Sequence, residues 1–167
     1  MAKPREQLTE QTPIKFNGGL ITQEGNLIKL TQERQAQNLR LVTIKPTDLT
    51  SSRGETRKTV NTKDQYVAQR ARGAYIATVC QPESSYDLSF AAQVTDPQEA
   101  DVKQLNKRIQ WQIDNATRGL TFVPLDMSSL SLLVFTDASF ANNKDLLSQI
   151  GFVIALTDRN QSANILH

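Results

Sequence analysis

Hydrophobic and polar positions follow three rhythms along this chain. Near the start, Ile14-Lys15-Phe16 alternates, Gly18-Gly19 interrupts it, and Gly25-Asn26 offers a turn before Leu27-Ile28-Lys29-Leu30. That pattern predicts a small hairpin over residues 14–30. Thr31 is then placed to cap a short helix from Gln32 to Leu41, with Ala36, Leu39 and Val42 on one side. Lys45 to Asn61 has no period. It holds Pro46, the run Thr50-Ser51-Ser52-Arg53-Gly54 and alternating charges from Glu55 to Lys58, and reads as a solvated loop.

The second rhythm is helical. Thr62 and Gln65 form a capping-box pattern ahead of a helix from Lys63 to Val79. Val67, Ala71, Ala74, Tyr75 and Thr78 share one face of it, with Arg70 off that stripe and Arg72 further round. Gly73 in mid-helix costs about 1 kcal/mol relative to alanine unless another element approaches it closely. Beyond Pro82, Leu88, Ala91 and Ala92 suit a second short helix within Ser85–Val94. The clearest helix runs from Asp96 to Ala116. Asp96 is its expected cap, Pro97 opens the first turn and Glu99 completes the box. Val102, Leu105, Ile109 and Ile113 recur at helical spacing, and Gly119 is the expected stop.

After Gly119 the pattern becomes β. Leu120 to Val123 is a short strand. Leu130 to Thr136 is nearly continuous in apolar residues, which predicts a strand covered on both faces. Ile150 to Leu156 is another such run, Thr157-Asp158-Arg159-Asn160 is a turn, and Asn164-Ile165-Leu166 begins a third strand.

Composition narrows the function classes. The 167 residues carry 19 Lys+Arg against 17 Asp+Glu, a formal net charge of +2, too small to argue nucleic-acid binding from bulk charge. Cys80 is the one cysteine, so no internal disulfide partner exists, and a thiol ahead of Pro82 reads as a buried group. The one histidine is His167, which argues against Cys–His or Ser–His–Asp catalysis and against a zinc site of Cys and His ligands. Met1 to Thr12 is polar and carries no apolar leader, and no apolar run is long enough for a membrane span.

The candidate chemistry sits at Phe135-Thr136-Asp137-Ala138-Ser139-Phe140. An acid ends a strand and a polar loop, Asn142-Asn143-Lys144-Asp145, follows. Strand ends are where ligand and metal sites assemble in sheets, and a carboxylate suits Mg²⁺. An aspartate that ends a strand and starts a turn is the plain alternative.

Four blocks, taken in order, carry a resemblance. Phe16-Asn17-Gly18 with Ile28-Lys29-Leu30-Thr31-Gln32 comes first. Tyr66-Val67-Ala68 through Gly73-Ala74-Tyr75-Ile76-Ala77, with Pro82 and Asp87-Leu88-Ser89-Phe90-Ala91, is second. Leu105-Asn106-Lys107-Arg108 to Arg118-Gly119-Leu120 is third. The fourth is Leu133 to Ala141 with Ser148-Gln149-Ile150-Gly151-Phe152-Val153-Ile154. Together they resemble copia-type retrotransposon polyproteins, from the end of the reverse transcriptase into ribonuclease H, closest in wording to elements of fungal genomes. Gln81 stands where that family has arginine, and Asp87 is displaced from Pro82.

The resemblance implies an α+β fold, a helical connection region followed by the truncated opening strands of a ribonuclease H-like sheet. It implies a polar tail over 1–13, the end of the palm and a thumb-like segment over 14–44, a loop over 45–61, the connection over 62–119 and the nuclease opening over 120–167. Asp137 then matches the first acid of a set that holds Mg²⁺ in the parent family, with the next acid expected on a helix after the third strand. Asp145 and Asp158 match no acid of that set and read as loop residues. The polymerase's paired aspartates would lie upstream. The parent partner is an RNA–DNA or template–primer duplex, and Arg70, Arg72, Lys103, Lys107 and Arg108 are candidate phosphate contacts, with a solvated helix face as the alternative. One carboxylate cannot replace the set, so the expectation is a retroelement fragment that does not catalyse by itself and holds no tightly bound metal. The alternative is a repurposed protein- or nucleic-acid-interaction module.

Overall fold

A computed structural model describes residues 5–44, 61–140 and 148–166. Strands β1 (Ile14–Phe16), β2 (Gly19–Glu24) and β3 (Leu27–Thr31) form an antiparallel meander. Asn17 and Gly18 turn β1 into β2 with φ of 49° and 77°. Paired positive φ is the two-residue hairpin geometry that Asn-Gly favours. Thr31 is paired to Leu20 as the last residue of β3, so it does not cap a helix. Helix α1 covers only Glu33–Ala36, against the expected Gln32–Leu41.

Beyond α1 the chain leaves the helix in a turn and runs without regular structure, yet Leu39 and Val42 still reach the core. Side-chain amides hold this stretch where a strand partner would. Gln69 Oε1 accepts from Arg40 N at 2.8 Å, and Asn106 accepts from Val42 N and donates to Val42 O. These bonds satisfy backbone groups that a helix would have satisfied internally. Most of the expected 45–61 loop lies outside the described residues.

Helix α2 (Thr62–Val79) is capped by Asn61, whose side chain accepts from Asp64 N. The proposed Thr62/Gln65 box is not its cap; Gln65 Oε1 accepts from Thr43 instead. Its buried face also differs from the expected one. Tyr66, Gln69, Gly73, Ile76 and Ala77 point inward, while Val67 and Tyr75 are exposed. The buried set keeps helical spacing, but its polar Gln69 and its glycine hid it in the sequence. A Cβ on Gly73 would lie 2.7 Å from Gln112 Oε1 and 3.0 Å from Ile109 Cδ1, so the mid-helix glycine marks a close helix contact.

Helix α3 (Ser85–Ala92) follows a 3-10 turn at Pro82–Ser84 and buries Leu88 and Ala91; Ala92 is exposed. Helix α4 (Glu99–Asp114) begins two residues later than expected. Gln98 is its cap and Asp101 completes the box, while Asp96 accepts from the Gln98 amide. Val102, Leu105 and Ile109 are buried as the period requires, and Ile113 packs against the core edge. Each fully buried Leu or Ile contributes roughly 1.5–3 kcal/mol.

The helix ends at Asn115, not at Gly119. Gly119 has a different reason: a Cβ there would stand 2.0 Å from the carbonyl oxygen of Leu30. It lets β4 (Leu120–Phe122) pair with β3, Leu30 opposite Leu120, and complete the four-stranded sheet.

The second sheet is an antiparallel meander of β5 (Ser131–Ser139), β6 (Gln149–Thr157) and β7 (Ala163–Ile165). The expected double cover of Leu130–Thr136 is absent among the described residues. Leu132, Leu133, Val134 and Phe135 are all exposed, because no helix of the described residues packs on the outer face. The molecule is thus α+β, a helical unit joined to two antiparallel sheets.

Candidate functional site

Asp137 lies near the end of β5, directly opposite Gly151 of β6. In an antiparallel pair, opposed residues share a face. Leu133, Phe135 and Asp137 therefore share one face with Val153 and Ala155, and Leu132 and Val134 share the other with Ile154 and Leu156. A Cβ at Gly151 would meet nothing nearer than the Asp137 carbonyl at 3.9 Å, so the space beside Asp137 is open.

Residues of β5 and β6, with Ile165 of β7, border a cleft of about 840 Å³ whose opposite wall is α2, α3 and the turn between them. Phe135, Asp137, Val153 and Ile165 line the sheet side; Arg70, Ala74, Leu88 and Ser89 line the helix side. The lining is mostly apolar with few polar groups, the composition typical of a ligand cleft.

The five expected phosphate-contacting cations occupy two helices. Lys103 pairs with Glu99 one turn away at 2.7 Å, both well exposed, an arrangement worth little. Arg108 is engaged by Asp87 of α3, and its guanidinium lies 5.2 Å from the Trp111 ring centroid. Arg118, paired with Glu83, flanks the same ring at 5.9 Å. Arg108–Asp87 thus ties α4 to α3, Arg118–Glu83 ties the segment after α4 to the turn before α3, and each arginine is neutralised by its carboxylate. Arg72 donates to Asn38 O. Arg70 and Lys107 form no ion pair among the described residues, and of the five only Arg70 lines the cleft with Asp137.

The chain matches no family model, no curated protein and no solved structure.

Other reactive groups are committed elsewhere. Cys80 is a free thiol buried in the core, and burial pushes it up to about 11 against a weaker opposing hydrogen bond from the Gln32 backbone. That thiol is protonated at neutral pH and is no nucleophile. Asp158 sits in the β6–β7 turn and accepts backbone N–H groups from Asp126, Asn160 and Ser162. The bond from Asp126 leads the effects that hold its carboxyl below the usual range, so Asp158 organises a turn. Asp145 lies outside the described residues.

Among the described residues no three of His, Cys, Asp or Glu converge. Asp137 by itself does not fit a two-metal centre, which needs several carboxylates around both ions. No helix of the described residues is long and apolar enough to cross a membrane. Sequence reasoning missed the cleft wall of Tyr86, Phe135 and Phe152, whose residues come together only when the helical unit and the second sheet face each other.

Proposed function

We propose that this chain is a segment of a copia-type retroelement polyprotein joining reverse transcriptase to ribonuclease H, with Asp137 as the first nuclease acid. One observation carries the reading: Asp137 lies near the end of the first strand of an antiparallel three-stranded meander, opposite Gly151 of the Ser-x-x-Gly-aromatic strand. The order of the motif blocks supports it. Helices α2, α3 and α4 lead through Gly119-Leu120 to that meander in the order the family would give.

The parent activities are RNA-directed DNA synthesis and cleavage of RNA in RNA–DNA hybrids. This chain offers one of the acids, and a single carboxylate leaves Mg²⁺ largely hydrated and weakly held. Purified chain incubated with a labelled RNA–DNA hybrid and Mg²⁺ is expected to give no cleavage above buffer. Cleavage that disappears in Asp137→Asn would overturn the assignment of the chain as non-catalytic by itself.

A second reading, a repurposed interaction module, is favoured by the exposed apolar side chains of β5 and β6, such as Val134 and Ile150. Apolar patches of this kind mark contact surfaces in many proteins.

A further inference from the structure

We propose that the second sheet closes onto α2 and α3, and that an ion pair between Arg70 and Asp137 latches the closed form. Three observations meet here. First, both walls of the 840 Å³ cleft carry apolar side chains. The sheet presents Phe135, Val153 and Ile165, which are 60%, 41% and 38% exposed. The helices present Ala74, Leu88, Ala92 and the exposed ring of Tyr86. Apolar groups that face each other across water gain burial by approaching.

Second, the second sheet is joined to the first. Strand β7 lies against β4, and the Asn164 amide donates to Val123 O and accepts from Val123 N, both at 2.8 Å. In the proposed closure this junction serves as the hinge. Third, the charges match. Arg70 and Asp137 line opposite walls, and neither forms an ion pair or side-chain hydrogen bond among the described residues. Glu83, the other carboxylate of the lining, is engaged by Arg118. As the apolar walls exclude water, attraction between Arg70 and Asp137 strengthens.

The latch would occupy the carboxylate assigned above to the nuclease. That consequence rests on the proposed function; the closure does not.

The test is a distance between spin labels at Lys107→Cys and Leu132→Cys, both exposed and outside the cleft, with buried Cys80 left unlabelled. The otherwise native chain is expected to show a short-distance population that falls several-fold in Arg70→Ala and in Asp137→Asn. It is expected to return in the charge swap Arg70→Asp/Asp137→Arg. Retained helical circular dichroism shows that each variant folds. A single distance that no variant moves overturns the closure. A short population that survives Arg70→Ala overturns the latch, and one that grows with protein concentration assigns the surface to a second copy and overturns the proposal. The measurement needs neither metal nor nucleic acid, so it can fail while the nuclease reading stands, and the reverse.

Discussion

At Gly73, α2 is pressed against α4, and a hydrogen atom is all the space allows. Gly73→Ala gains about 1 kcal/mol of helix propensity. It also drives a methyl into the Gln112 amide, which is buried and donates to Gly73 O and Gln81 Oε1. Overpacking of that kind costs about 1–3 kcal/mol, so the urea midpoint followed by circular dichroism is expected to fall; a rise would show that Gln112 moves aside freely. Cys80 carries a pH signature. Its thiol is raised from 9.0 to about 11, so the folded chain holds the proton over that interval while the unfolded chain loses it. Stability is therefore fully present below pH 9 and is expected to decline as pH rises towards 11. Cys80→Ala should flatten that decline in denaturant titrations, and an unchanged slope would count against the buried thiol as its source. At this scale the sequence was informative where a residue type has one physical use. A lone cysteine read correctly as buried, and a mid-helix glycine correctly demanded a close neighbour. Buried Gln32, Gln69, Gln81 and Gln112 were illegible, because glutamine is ordinarily a surface residue and these four find their places only in the folded core.

Elements were legible in type and less so in boundary and face. Helices α2, α3 and α4 stand close to where periodicity put them, and α4 buries the expected Val102, Leu105 and Ile109. The α2 face was misread because apolar Val67 and Tyr75 lie outward while Gln69 and Gly73 turn in. The caps shifted because several candidate side chains stood within two residues of each helix start, and Asn61 and Gln98 prevailed over Thr62 and Asp96. For β5, a continuous apolar run signals two covered faces, yet the described residues leave both largely open. Few buried contacts mean easy local opening. Amide hydrogen exchange is expected to be fast across β5–β7 and slow in α2 and α4. Uniform strong protection in a monomer would contradict the exposure of Leu132, Val134 and Ile150. The nine-residue β5 has no partner on its outer side among the described residues, an edge prone to pairing with other chains.

For the whole molecule, local pattern gave the class, α+β, but not how the pieces join. The pairing of β3 with β4 spans the entire helical unit, and no short-range signal encodes a contact between Leu30 and Leu120. The Asn164–Val123 junction likewise joins residues 41 positions apart, and no local pattern marks it. Asp137 was legible as a candidate from its motif, and Arg70 only as one of several cations; their shared cleft was not. Asp137 is proposed to open a nuclease sheet inherited from a retroelement. The most direct measurement is the sequence of the DNA that follows the His167 codon in the source genome. In one of its frames it is expected to continue into the rest of a strand and then a helix bearing a Ser-Glu-type pair. A continuation with no such helix in any frame would contradict the account.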